Sequence, residues 1–165
     1  MAATTHKGVF SPVRLPGEQH VLSEYGYHRP ELMVAQIDRC ELPTAVEVGS
    51  VVYLADVAWD FVPIRELSTL NFDDAGTGVT IDLGDINDPN ALIAGPDIAA
   101  AAGSCSLIKS VDISKEGDPL WKLLGYADRD TALATGKKAR LYFTITGATT
   151  GNACSLAWKL IGTRA

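Results

Sequence analysis

Apolar and polar residues alternate along several short segments of the chain, a pattern typical of strands that bury one face. The clearest example begins after Gly78, where Val79, Ile81 and Leu83 fall on one face and Thr80 and Asp82 on the other. This segment is therefore predicted to be a half-buried strand that turns at its end into a polar loop.

Further strands are predicted at 32–38, 46–57, 61–67, 106–113, 138–147 and 153–162. The Gly49–Ser50 break leaves two strands or one bulged strand open within 46–57. Pro63 makes 61–67 an edge or bulged strand, since proline cannot donate to a sheet. The last two segments are expected to form a hairpin through the polar loop 148–152.

Helical segments are expected to be short. One is predicted at 89–94, where Asp88 would cap the helix and Pro89 would begin it, and another at 98–102. A third is predicted over 119–124, before Gly125. Several short strands with brief helices predict an all-β fold, a β-sandwich whose topology we expect to be jelly-roll-like.

The first thirty residues show no sustained periodicity and are predicted to form an extended N-terminal arm, so that residues 31–165 form the β-sandwich domain. The arm is too apolar for a simple solvated tail, and we expect it to lie on its own surface or on a neighbour's. Its predicted partner contacts are Phe10, Leu15, Val21, Leu22, Tyr25 and Tyr27.

Length and composition limit the class of protein. The chain has 165 residues, enough for one domain with a real core, and 47% of them are hydrophobic, which is too many for a wholly disordered chain. No apolar run approaches the roughly 20 residues that cross a bilayer, and the N-terminus has no secretory signal pattern. We therefore expect synthesis in a cytoplasm and no membrane partner.

Charge is distributed unevenly along the chain. Residues 1–30 hold three basic and two acidic side chains, a net charge of +1. Residues 31–100 hold two basic and thirteen acidic side chains, a net charge of −11. Residues 101–165 hold nine basic and five acidic side chains, a net charge of +4. The acidic part of one copy could meet the basic part of another, which predicts a homo-oligomer, a trimer or a dimer; the alternative is that the charges cancel within one fold. Nucleic acid is not an expected partner, because the acidic centre would repel phosphates.

Three cysteines without C-x-x-C spacing predict neither a disulfide framework nor a zinc site. Cys154 is in phase with Leu156, Trp158 and Leu160, which predicts a buried thiol. The acidic residues Asp82, Asp85, Asn87 and Asp88 could offer oxygens to calcium but lack the EF-hand order, and turn formation explains them better.

No catalytic or cofactor motif is recognisable. All three histidines, His6, His20 and His28, lie in the arm, where a base is poorly held. Thr135–Gly136–Lys137 resembles the end of a phosphate loop, but Thr131 stands where that loop needs glycine. We therefore predict no cofactor and a non-enzymatic protein.

The three tryptophans offer one alternative function. Trp158 is in phase with core residues, whereas Trp59, between Asp56 and Asp60, is the tryptophan we expect to be exposed. An exposed Trp59 among tyrosines would suit a carbohydrate-binding β-sandwich module; the alternative is packing within the sandwich.

The segment GVTIDLGDINDPNALIAGPDI, residues 78–98, has the order strand, Gly-Asp, Asp-Pro and short helix. In this order, and in its context over 46–162, the chain resembles small virion proteins of tailed bacteriophages, the β-sandwich proteins that decorate or cement a capsid. The resemblance implies a non-enzymatic virion protein bound to the major capsid protein or other virion proteins, with a head-fibre base or tail component as alternatives. Besides the arm, Trp59 and Asp85 are the expected partner contacts.

Overall fold

The computed structural model describes residues 5–7, 34–96, 98 and 101–164. Within these residues lie nine strands: β1 (Thr5–Lys7), β2 (Val34–Leu42), β3 (Val51–Val57), β4 (Phe61–Pro63), β5 (Thr69–Phe72), β6 (Thr80–Gly84), β7 (Gly103–Ser106), β8 (Ala139–Thr146) and β9 (Cys154–Arg164). The helical elements are a 3₁₀ turn (Ile113–Lys115), α1 (Leu120–Leu123) and α2 (Arg129–Thr135).

The strands form two sheets. The first has the order β1-β3-β8-β6, and the second has the order β2-β9-β5-β7, with β4 also paired to β9. From β2 onward, successive strands alternate between the sheets, except that β4 and β5 both join the second. This alternation is the arrangement of a jelly roll, so the predicted all-β sandwich is confirmed.

The periodic segments lie where their patterns predict. The inward residues of β6 and β8 are fully buried, and so is the apolar face of β9. Between the sheets, the rings of Phe143 and Trp158 make an edge-to-face contact. The 46–57 segment holds one strand, β3, and its register against β8 shifts between Tyr53 and Ala55. The segment is therefore one strand with an irregularity, but Gly49–Ser50 lies before the strand and is not the site of a bulge.

The predicted hairpin between the last two strands is wrong, because β8 and β9 lie in different sheets. Their connection crosses the end of the sandwich and is held by other loops rather than by strand pairing. The Thr150 hydroxyl accepts a hydrogen bond from the Val46 amide at 2.9 Å, and the Gly151 amide donates to the Ala75 carbonyl at 2.9 Å.

Two local predictions are also wrong. Residues 89–94 form turns rather than a helix, because Ile93 returns to make a bridge with Leu83 of β6. The strand predicted at 106–113 is not formed, because β7 ends at Ser106. Leu107, Ile108 and Val111 are buried from turns, whereas Ile113 is exposed. The helix at 119–124 is confirmed as α1, whereas α2, which begins after the capping carboxylate of Asp128, was not predicted.

The N-terminal arm is described only over Thr5–Lys7. These residues form β1, which pairs in parallel with Val51–Tyr53 of β3 and so extends the first sheet of its own molecule. His6 lies in this strand. The six predicted contact residues of the arm, with His20 and His28, lie outside the described residues: Phe10, Leu15, Val21, Leu22, Tyr25 and Tyr27.

Candidate functional site

A cleft opens at the end of the first sheet where β3 and β6 end and β8 begins. Its volume is about 590 Å³, within the range of sites that bind ligands or peptide side chains. One wall is the loop after β6, which includes residues 85–87, and the other is the segment 135–138 at the C-terminal end of α2. Tyr142 of β8 and Trp59 also line the cleft, which we call the end cleft.

Asp85 holds the first wall in shape from inside. Its side chain is buried, and Oδ1 accepts hydrogen bonds from the amides of Asn87 at 3.0 Å and Asp88 at 2.8 Å. Oδ2 accepts a hydrogen bond from the Tyr126 hydroxyl at 2.6 Å. The oxygen of that hydroxyl in turn accepts a hydrogen bond from the side-chain amide of Asn87 at 2.6 Å. Burial, followed by the hydrogen bond to Asp85, raises the pKa of Tyr126.

Trp59 fixes the second wall. Its indole Nε1 donates to the carbonyl of Gly136 at 2.8 Å, and its ring meets Tyr126 edge-to-face with 5.2 Å between centroids. The prediction that Trp59 is exposed is wrong, since the side chain is only 3% exposed. The apolar ring is buried because its one polar atom finds a backbone acceptor. It offers no face on which a sugar could stack.

The cleft carries more positive than negative charge. Arg140 donates from Nε to Oδ1 of Asp56 at 2.9 Å, and this carboxylate raises the pKa of the guanidinium. Lys137 and Lys138 are exposed, and neither has an ion-pair partner among the described residues. With Asp56 paired to Arg140 and Asp85 buried, these two ammonium groups dominate the accessible charge.

Two acidic side chains near this loop accept hydrogen bonds from backbone amides. Besides the bonds of Asp85, Asp82 Oδ1 accepts the amide of Gly95 at 2.7 Å. Within the described part of the chain, no group of three or more His, Cys, Asp or Glu side chains is arranged to hold a metal ion. Hydrogen bonds to backbone amides account for the carboxylates of Asp82 and Asp85. No helix of the described residues is long and apolar enough to cross a membrane.

The expected contacts Trp59 and Asp85 thus lie together at the end cleft, but both are buried, at 3% and 5% exposure. Side chains with so little surface offer a partner almost no contact area, so any contact here involves the residues they position. Sequence reasoning missed Ile86, Tyr126, Lys137 and Lys138. The one signal for Ile86 was a single large apolar residue among the turn-forming residues of Gly-Asp-Ile-Asn-Asp-Pro.

No protein-family model and no curated protein matches this sequence. Two chains in solved structures share its fold. A chain of the cyanophage Pam1 capsid asymmetric unit superposes with a TM-score of 0.56 at 10% identity, covering 92% of this chain and 100% of that one. A chain of the capsid of Ralstonia phage GP4 superposes with a TM-score of 0.52 at 17% identity, covering 98% and 99%.

These matches span both partners almost end to end, so the whole sandwich is shared and not only a few strands. The fold class is therefore a jelly-roll β-sandwich of the kind present in phage capsid structures. The resemblance seen in residues 78–98 is confirmed at the level of the fold.

Proposed function

We propose that this chain is a non-enzymatic structural protein of a tailed-phage virion that decorates or cements the outside of the capsid shell. The observation that carries the proposal is the end-to-end structural match to two chains of phage capsids. Both neighbours have nearly the same length as this chain, so the comparison concerns whole chains. The protein would be made in the host cytoplasm and reside on the virion surface.

The mechanism of such a protein is thermodynamic. A protein that binds the assembled shell and not its separate subunits stabilises the shell by its binding free energy, multiplied over many copies. The major capsid protein is the proposed partner. A rigid sandwich suits this task because its binding surfaces need little ordering when they dock.

The arm and self-association complete the proposal. Residues 5–7 form a strand on the edge of β3, and this pairing supports a role for the arm in extending a sheet. Residues 1–30 are proposed to contribute to attachment by contacting another subunit, and the sandwich domain 31–165 is proposed to fold without them. Neighbouring copies are proposed to form a trimer or a dimer.

The direct test uses purified phage shells that lack this protein. Added protein should bind them saturably, at a fixed number of copies per shell, and raise the temperature at which the shells open. Electron microscopy should place the added density on the outer face of the shell. Density confined to one vertex or to the tail would indicate the alternative, a head-fibre base or tail component. No binding to shells or tails would overturn the virion role.

A further inference from the structure

The loop after β6 presents an apolar side chain to solvent. Ile86 is 83% exposed, more than any other large hydrophobic residue in the described part of the chain. It lines the end cleft, so its exposed surface lies beside a concave site rather than on an open face. Single exposed apolar residues are common on proteins and by themselves indicate nothing.

What distinguishes Ile86 is the way its loop is held. The preceding residue, Asp85, buries a carboxylate whose two oxygens together accept three hydrogen bonds, two from the loop backbone and one from Tyr126. Gly84 packs so tightly against the Asp88 carbonyl that a side chain there would overlap it. A buried carboxylate is retained at a cost in desolvation, and here its bonds preserve the shape that displays Ile86.

The opposite wall is held as firmly and carries the free charge. The Gly136 carbonyl accepts the Trp59 indole N–H, which positions the chain just before Lys137 and Lys138. Both lysines are exposed, line the cleft and lack an ion-pair partner among the described residues. The cleft therefore offers an apolar contact on one side and two cations on the other.

We propose that the end cleft is a docking site for a segment of another virion protein that carries carboxylates next to an apolar side chain. The apolar side chain packs on Ile86, and the carboxylates pair with Lys137 and Lys138. Asp85, Tyr126 and Trp59 act as positioning residues that keep the two walls in place. This inference rests on the proposed virion role and names the chemistry of the partner.

Charge complementarity favours an acidic partner segment over the alternatives. Of the five charged side chains that line the cleft, three are cationic and two anionic, and one anion is paired while the other is buried. A basic segment would therefore meet two unpaired cations, which is unfavourable. A sugar would find no exposed tryptophan face, since Trp59 is buried.

The first test does not need a virion. The isotope-labelled full-length protein is titrated with the capped peptide Leu-Glu-Leu-Glu-Leu, and the matched control is Leu-Lys-Leu-Lys-Leu. We expect amide shifts at Ile86, Gly136, Lys137 and Lys138 with the glutamate peptide and none with the lysine peptide. Equal shifts with both peptides, shifts elsewhere on the sandwich, or no shifts would overturn the proposal.

Variants separate the two walls. Ile86→Ser should weaken the glutamate peptide at least about fivefold, and Lys137→Glu/Lys138→Glu at least about tenfold, with the latter effect shrinking in high salt. The matched controls are Ile113→Ser, at a site 77% exposed on the 3₁₀ turn, and Lys109→Glu/Lys115→Glu. These controls should change affinity less than about twofold. Equal losses in variants and controls would show a non-specific effect.

The positioning role of Tyr126 has its own measurement. Tyr126→Phe removes the hydroxyl that donates a hydrogen bond to Asp85, and in the wild-type background it should weaken binding of the glutamate peptide. In an Ile86→Ser background the same change should weaken peptide binding little further, because the Tyr126 hydroxyl acts by positioning Ile86. Additive losses would show that Tyr126 acts only on general stability.

Shells lacking the protein then distinguish this inference from the proposed function. Suppose the wild type binds shells. If Ile86→Ser and the double lysine variant then bind shells as tightly as the wild type does, the virion role stands and the cleft proposal fails. If peptide binding follows the predictions but no variant or wild type binds shells or tails, the cleft stands as an acidic-peptide site and the virion role fails. Self-association that shifts the amides of Ile86, Gly136, Lys137 and Lys138 as the protein concentration rises would identify a second copy as the occupant and overturn the proposal.

Discussion

The ring of Phe143 on β8 meets that of Trp158 on β9 edge-to-face, with 5.6 Å between centroids and 64° between the ring planes. Both side chains are buried, and the two strands belong to opposite sheets, so this pair joins the two halves of the sandwich. The indole Nε1 of Trp158 is itself buried and makes no hydrogen bond within the described structure.

Because of this geometry, replacing Trp158 by alanine and by phenylalanine should lower the free energy of unfolding by different amounts. Trp158→Ala should lower the free energy of unfolding by about 3–5 kcal/mol, since it leaves a large cavity between the sheets. Trp158→Phe should cost only about 1–2 kcal/mol, because it retains an aromatic contact and removes a buried donor that has no acceptor. Urea unfolding followed by circular dichroism measures both. Equal losses would show that Nε1 has an acceptor after all.

The two buried thiols predict a loss of stability at alkaline pH. Burial raises the pKa of Cys40 and of Cys154 from 9.0 to about 11, with nearby carboxylates adding to the effect. Below pH 9 the folded and unfolded chains both keep these protons. Between pH 9 and 11 only the unfolded chain releases them, so the free energy of unfolding falls, by on the order of 2 kcal/mol per thiol.

The measurement is urea unfolding at pH 8 and at pH 10.5. The matched control, Cys40→Ala/Cys154→Ala, should lose less stability over that interval than the wild type, because the remaining groups titrate equally in both. An identical pH dependence would mean that these thiols ionise as freely in the folded chain as in the unfolded one.

Native thiol labelling tests the burial of Cys154 separately. A thiol reagent should modify the half-buried Cys105 well before Cys40 or Cys154, which should react fully only after denaturation. Cys154→Ser should lower the free energy of unfolding by about 1–3 kcal/mol, since it buries a hydroxyl with no assured partner. Rapid labelling of Cys154 in the native protein would contradict its place in the core.

Gly84 is predicted to be intolerant of any side chain. A Cβ there would overlap the backbone carbonyl of Asp88, and backbone cannot move aside as a flexible side chain can. Gly84→Ala should therefore cost about 1–3 kcal/mol or more, and it should displace the loop that bears Ile86. The control is Gly151→Ala, where the nearest atom, Cα of Gly76, lies at an ordinary 3.5 Å. Thermal unfolding measures both variants, and equal melting temperatures would contradict the predicted intolerance of Gly84.

Deleting residues 2–28 should separate folding from attachment. The truncated protein should stay soluble and β-rich with a melting temperature close to that of the full chain, because β1 adds only a three-residue edge strand to the described sandwich. Its binding to shells should fall at least about tenfold, or about 1.4 kcal/mol. Shell binding as tight as that of the full chain would place attachment on the sandwich alone.

Self-association is expected when many copies occupy a lattice. Sedimentation at micromolar concentration, and copy counting on shells, should show a trimer or a dimer. The physical reason is the uneven charge along the chain, −11 over residues 31–100 and +4 over residues 101–165. A monomer in solution, with no contact between copies on the shell, would show that the charges cancel within each molecule.

The errors of the sequence-based predictions share one physical cause. The hairpin 148–152 and the helix 89–94 were inferred from turn-forming residues, which mark where the chain changes direction but not where it goes next. Thr150 binds the loop at Val46, and Ile93 returns to Leu83, so contacts distant in sequence decided both connections. Trp59 was judged exposed from its acidic neighbours, whereas a carbonyl at Gly136, distant in sequence, let it be buried.

The sequence by itself determined the core strands that alternate strictly and their inward faces, whereas β5 and β7 of the second sheet were not predicted. Strict alternation along β6, β8 and β9 leaves only one face apolar, so burial of that face determines the phase of every residue in the strand. Tertiary structure decided which strands share a sheet, which turns hold Asp85 and Trp59, and that Ile86 faces Lys137 and Lys138 across a cleft. Those features depend on pairings between segments that are in several cases more than a hundred residues apart, about which local alternation carries no information.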